Sequence, residues 1–169
     1  EFSLHLCTDR NVRYRLGMLS KKTKYAISAL RILARHAHPE PMLISDIAQK
    51  GDIPKKFLEL ILLELKKHHI LESKKGQGGG YFLKIHPEEI SIGQIIRKLS
   101  GPIGMVSCVN RDGYLPCDEC PGEDLCGLRE IMTNVLDATC QILDNETLAD
   151  LLVREDRLLQ EKRDYMFHI

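Results

Sequence analysis

SDIAQKGDIPKKFLELILLELKKHHILESKKGQGGGYFLKI, residues 45–85, is the stretch whose reading decides the fold. Ser45 opens a short helix, SDIAQKG, which Gly51 closes. After the turn GDI, Pro54 stands at the first position of a second helix, where a missing N–H is tolerated. That helix runs PKKFLELILLELKKHH, with Phe57, Leu58, Ile61, Leu62 and Leu65 as its apolar stripe. A short helix, a glycine-containing turn and an amphipathic second helix form the helix-turn-helix pattern. ILESKK, GQGGG and YFLKI then read as two short strands around a glycine-rich tip, a hairpin wing directly after the second helix. A phosphate-cradling reading of Gly76, Gly78, Gly79 and Gly80 would want a helix after the loop, and a strand follows instead.

Upstream, Ser20 caps a helix running to about His38, with Ile27, Leu30, Leu33, Ala34 and Ala37 on one stripe and Pro39 and Pro41 beyond its end. DNA binding needs a helix that fits the major groove and cations along its flanks. Lys55 and Lys56 lie at the N-terminus of the second helix, the end that reaches base edges in this motif. Lys21, Lys22, Lys24 and Tyr25 add backbone contacts from the first helix. Ser45, Lys74, Lys75 and the wing-tip Gly78 and Gly79 extend the candidate surface. Lys66, Lys67, His68 and His69 read instead as charges favourably placed at a helix C-terminus. Helix-turn-helix folds also serve as protein-interaction modules, and that alternative stays open.

The 169 residues carry 24 Lys+Arg and 24 Asp+Glu, so the formal net charge is zero. The total conceals an asymmetry: residues 18–100 hold 15 basic against 8 acidic groups, residues 101–169 hold 6 against 14. A basic half beside an acidic half is expected where one part meets a polyanion and the other does not. No window approaches 18 uninterrupted apolar residues, so no membrane-spanning helix is expected. Residues 1–17, EFSLHLCTDRNVRYRLG, lack a signal-peptide pattern and read as an extension of uncertain origin. The expected compartment is a reducing cytoplasm, where clustered thiols bind metal more often than they form bridges.

Four of the six cysteines, Cys108, Cys117, Cys120 and Cys126, fall within 19 residues at the spacing C-x8-C-x2-C-x5-C. Four sulfurs on one flexible loop can wrap a soft cation or an iron–sulfur cluster. Zinc and a disulfide-based redox switch are the alternatives. Cys140, inside the following helix, reads as a buried small side chain. That helix, GLREIMTNVLDATCQILDN, carries Leu128, Ile131, Met132, Val135, Ala138, Thr139 and Ile142 on a stripe that covers its own domain or pairs with a second copy. A short helix, TLADLLVRE, follows, and residues 156–169 read as a tail. The acidic residues Asp112, Asp118, Glu119, Glu123 and Asp124 would keep the loop off DNA. No nucleophile–base or carboxylate pair stands out, so an enzyme is not expected.

KKTKYAISAL, the helix-turn-helix through KKFLELILLELKKHHIL, the wing SKKGQGGGYFL, and SIGQII followed by a Cys loop resemble the IscR/NsrR/CymR family of bacterial regulators, over roughly residues 18–155. The resemblance implies a winged-helix homodimer on double-stranded promoter DNA, tied by a long C-terminal helix. In cluster-binding members a 2Fe–2S or 4Fe–4S centre senses iron–sulfur, nitric-oxide or redox status, while other members lack the cysteines. It further implies base contacts for Lys56 and Glu59, and places Lys75 where related proteins often hold a minor-groove Arg. Cys108, Cys120 and Cys126 match the three cluster cysteines. The first Cys gap is longer than the usual five residues, and Cys117 is additional. Arg129 replaces a His ligand, and SKKTKYA offers no carboxylate ligand, so Cys117 is the candidate fourth ligand of an all-cysteine site.

The expected architecture is therefore mainly α with a small β-wing. It comprises a winged helix-turn-helix (18–100), a cysteine-rich loop (101–126) and a dimerisation helix with a short packing helix (127–155).

Overall fold

The computed structural model of the protein describes residues 19–36, 39–117 and 122–167. Helix α1 (Lys21–Ala34) is capped by Ser20, whose hydroxyl accepts from the Thr23 amide at 3.2 Å. Thr23 is fully buried, and its hydroxyl is shared with Ser20 Oγ at 3.0 Å and Ser100 Oγ at 2.5 Å. The helix stops earlier than the expected end near His38, a residue outside the described ones. Its last turn tightens as the His36 amide bonds the Leu33 carbonyl three residues back, leaving no ladder to extend.

Helix α2 (Ile44–Gly51) corrects the position given to Ser45. Ser45 is not its cap: Leu43 holds that position, and Ser45 sits inside the first turn with Oγ donating to Asp46 Oδ1 at 3.0 Å. The cause lies in Met42, which exchanges two 2.9 Å backbone hydrogen bonds with Tyr81 and so holds the chain extended until the helix begins. Asp52, at φ +48°, takes the left-handed cap expected of Gly51. Pro54 precedes α3 (Lys55–Lys67) rather than opening it, and His68 and His69 lie beyond its end. Strands β1 (Leu71–Lys74) and β2 (Gly80–Leu83) pair antiparallel, Leu71 opposite Leu83 and Lys74 opposite Gly80. The architecture is a winged helix-turn-helix, as expected.

Leu30, Ile47, Leu58, Ile61, Leu62, Leu65, Ile70 and Leu71 form the core beneath this unit. An unexpected helix, α4 (Ile92–Ser100), capped by Ser91, adds Ile95 and Leu99 to it. The opposite side of α4 presents Ile96 to a second cluster with Ile103, Cys108, Val109 and Leu136. Leu136 comes from α5 (Gly127–Asn145), which Arg97 also ties to α4 through Asp144 at 2.5 Å. That hydrogen bond, more than any other contact, raises the Arg97 pKa above its ordinary value.

The stripe expected on α5 divides. Met132, Leu136, Cys140 and Leu143 pack inward, while Leu128, Ile131, Val135 and Ile142 stay exposed. The chain then turns at Glu146 into α6 (Leu148–Phe167), pinned by backbone bonds from Ile92 to Glu146 and from Leu148 to Ile90, both 2.8 Å. Asp150 Oδ2 accepts from the Thr147 hydroxyl and amide at the start of α6, and these bonds hold its carboxyl below the usual range. The segment read as a tail is a correction: α6 continues through it to Phe167. An Arg157–Glu161 pair one turn apart and Arg163–Gln160 contacts support it. Farther back, Glu155 meets Arg31 at 2.8 Å, and Asp156 meets Arg35 at 2.7 Å, fastening α6 to α1. Among the described residues no helix is long and apolar enough to cross a membrane.

The wing's seat depends on Gly80, whose φ of +154° and contact with the Met42 carbonyl leave no room for a side chain. Gly80→Ala should cost roughly 1–3 kcal/mol. Thermal unfolding should record a Tm drop of roughly 2–4 °C for each kcal/mol lost, and an unchanged Tm would remove the Met42–Tyr81 bridge as the anchor of the wing.

Candidate functional site

Burial of Leu58, Ile61, Leu62 and Leu65 turns the other side of α3 to solvent, where Lys55, Lys56 and Glu59 are all exposed. Two contacts set α3 against α1. The Tyr25 ring meets Phe57 edge-on at 5.7 Å between centroids, and Lys22 Nζ pairs with Glu64 at 3.1 Å. Tyr25 is therefore half-buried packing, with Lys21 and Lys24, both just before it in the sequence, exposed. At the far end Lys66 donates to Ser73 Oγ at 2.7 Å, joining α3 to the wing.

Lys74 closes β1, Lys75 and Gly78 are exposed at the tip, and the Gly79 amide closes the turn on the Gly76 carbonyl at 2.9 Å. Gly79 itself is buried, its Cα lying against the backbone of Lys74 and Gly76, so it shapes the tip rather than presenting a surface. Ser45 is exposed on the first turn of α2. The fold thus brings the α1 start and α3 together through direct contacts, with the wing tied to the α3 end.

The second constellation is a cavity of about 320 Å³ lined by Val106, Ser107, Cys108, Cys117, Cys126, Leu128 and Arg129. Three elements deliver its sulfurs. Cys108 is buried in a single 3-10 turn, Ser107–Val109, held by packing against the second core cluster. Cys126 caps α5, where the helix N-terminus favours anionic groups. Cys117 is exposed on the loop between them. Cys120 lies outside the described residues. Among the described residues no three ligating groups stand close enough together to hold a metal ion. What converges is the donor chemistry: three soft sulfurs on one cavity, which suits a thiophilic metal or cluster.

Arg129 does more than occupy a non-ligand position. Its Nε donates to the Cys108 carbonyl at 3.3 Å, and its guanidinium pairs with Glu123 at 3.3 Å. One side chain therefore joins the Cys108 turn to the segment before Cys126. The sequence carries no local signal for this, because Arg129 and Cys108 are 21 residues apart. Cys140 lies beside Leu136 and Arg97 in a separate hollow and is not brought to the other sulfurs.

Comparison with known proteins gives a consistent result. The family model described as "Rrf2: Iron-dependent Transcriptional regulator" matches residues 19–154. A rrf2-like putative HTH-type transcriptional regulator of Rhodobacter capsulatus is 38% identical over 138 residues, covering 80% of this chain and 92% of the relative. The solved structure of CymR, the global cysteine regulator of B. subtilis, is similar with a TM-score of 0.66 and 31% identity, covering 80% of this chain and 96% of that one. IscR of T. potens is similar at a TM-score of 0.62 and 27% identity, with 81% and 87% covered.

Removing the Arg129 clasp should loosen the Cys108 turn. Arg129→Ala is expected to speed alkylation of native Cys108 about fivefold, the scale of one hydrogen bond, as read by mass spectrometry. Arg129→Lys, which lacks the fork, should not restore the slow rate. Unchanged labelling would assign the shielding to Val109 and Leu136 alone.

Proposed function

The chain belongs to the Rrf2 family of iron-dependent transcriptional regulators, and on that premise we propose that it is a homodimeric, cytoplasmic regulator whose cysteine pocket holds an iron–sulfur cluster and tunes DNA affinity. Members of this family are transcription regulators that bind DNA, not enzymes. The observation carrying the finer reading is the shared cavity of Cys108, Cys117 and Cys126 at the start of α5.

In this reading residues 18–100 form the DNA-binding unit, 101–126 the sensing loop and 127–155 the dimerisation segment. The N-terminal end of α3 enters the major groove. Lys55 and Lys56 meet phosphates, and Glu59 accepts from a cytosine amino group. Lys21 and Lys24 hold the backbone beside it, and Lys74 and Lys75 carry the wing to the adjacent groove. Leu128, Ile131, Val135 and Ile142 recur at steps of three, four and seven residues, one face of a helix, and are 59%, 57%, 40% and 64% exposed. Such a stripe suits a twofold partner helix.

Cys108, Cys117, Cys120 and Cys126 would hold the cluster, which supplies ligand-exchange and one-electron chemistry when bound. Cys126 caps α5, and Leu128 lines the pocket while lying on the exposed stripe. A change in the pocket is thereby registered at the dimer contact, and the two states differ in the spacing they impose on paired DNA-binding units.

Anaerobically purified protein should be coloured, with iron and sulfide in stoichiometric amounts; Cys117→Ser should bleach it and Cys140→Ser should not. Zinc without iron, in a colourless protein, would replace the sensor with a zinc-stabilised regulator. For the DNA surface, Lys55→Ala combined with Lys56→Ala should weaken promoter-duplex binding about tenfold or more and reduce the salt slope by about 2. Equal affinity at fixed salt would remove α3 from the interface.

A further inference from the structure

Leu60 and Leu63 are 64% and 56% exposed on α3, although the same helix buries four other apolar side chains almost completely. Helical spacing places Lys56, Leu60, Leu63 and Lys67 on one line, opposite the buried Leu58, Ile61, Leu62 and Leu65. The most outward line of α3 is thus leucine in the middle with a lysine at each end. Nothing in the core accounts for it, since Leu60 and Leu63 belong to neither buried cluster.

The surroundings point to the occupant. Lys55, Lys56, Lys66 and Lys67 are exposed on this helix, and of its two acids Glu64 is paired with Lys22, leaving Glu59. An apolar strip rimmed by four cations suits a polyanion that also offers apolar groups. The major groove of duplex DNA does so, because thymine presents its C5-methyl there among the polar base edges. Residues three apart on a helix rise about 4.5 Å, close to the roughly 3.4 Å between base pairs, so the two leucines address neighbouring steps.

Resting on the DNA-binding reading above, we propose that Leu60 and Leu63 are specificity-determining residues that read thymine methyl groups in the major groove. Leu60, nearer the entering end of α3, covers the methyl lying deeper within the site, and Leu63 the next one outward. Charge-based contacts then supply affinity for any duplex, while these two side chains select thymine over cytosine at the positions they face.

The test uses the full chain to select duplexes from a randomised library, followed by replacement of each thymine in the selected duplex with deoxyuridine, which removes only the methyl. Wild-type binding by fluorescence anisotropy should fall about fourfold for each methyl that is read, the size of one buried methyl group. Leu60→Ala and Leu63→Ala, both at exposed positions, should each erase one of these thymine–deoxyuridine differences while leaving the salt slope unchanged. A wild-type protein that binds every deoxyuridine duplex as tightly overturns the proposal, as does a thymine preference that survives both substitutions. Variants that keep duplex affinity and preference but lose self-association would make the leucines a protein interface instead. Failure to enrich any duplex sinks the DNA-binding reading itself, and is distinguishable because no thymine preference could then be measured.

Discussion

Leu58, Ile61, Leu62 and Leu65 follow one another at steps of three, one and three along α3, and their burial against α1, α2 and β1 deprives that helix of rotational freedom. Rolling α3 by one residue's turn would turn some of these side chains to solvent and carry charged ones, Lys55, Glu59 and Lys66 or Glu64 according to direction, inward, a change opposed by several kcal/mol of lost apolar burial and by charge desolvation. Every assignment made to its outer side therefore depends on the inner one. Tyr25 against Phe57 and Lys22 with Glu64 refine the angle to α1, but they are adjustments to a helix whose rotation the core has already decided.

Helix α5 presents a different arrangement, in which two apolar stripes run side by side. Its inner stripe locks Leu136 beneath the Cys108 turn, and its first turn contributes Leu128 and Arg129 to the wall of the cysteine cavity. The same helix thus walls the cavity at its first turn and packs beneath the Cys108 turn farther along. The link to the winged unit runs through α4, which faces both clusters and is bolted to α5 by Arg97 and Asp144. Such a shared helix is the kind of element through which a local event can bias two packed arrangements.

Much of this was legible from residue order. The α3 stripe and the wing glycines are periodic or punctuating signals acting within a few positions, and both elements stand where they were expected. Ser20 caps as its residue type predicts, whereas Ser45 does not, because a Met42–Tyr81 backbone bridge from distant sequence sets the α2 cap two residues earlier, at Leu43. In α4 the helical spacing of Ile92, Ile95, Ile96 and Leu99 behind the Ser91 cap is itself a local signal, so that helix too is legible in residue order. On α5 the inward residues directly follow outward ones, Ile131 beside Met132 and Val135 beside Leu136, so two faces read as one. The long-range pairs of Glu155 and Asp156 with α1, as many as 121 positions away, lie in no window of sequence, whereas the Arg157–Glu161 and Arg163–Gln160 contacts farther along α6 are local. At the cysteines, the residue types announced the donor chemistry, while the clasp from Arg129 required the fold to bring it to Cys108.

The fastening of α6 to α1 has an electrostatic consequence. Helix α1 begins with Lys21, Lys22 and Lys24, carries Arg31 in its last turn and Arg35 at its C-cap, and over its 14 residues the two ends stand about 20 Å apart. Glu155 and Asp156 neutralise the arginine end and leave Lys21 and Lys24 uncompensated. A helix basic along its whole length would draw a polyanion to either end. With one end cancelled, α1 becomes a directed charge gradient, and because the ends are separated by about two and a half Debye lengths at physiological salt, an approaching duplex feels a torque as well as a pull. Orientation on encounter is thereby biased before any base is touched.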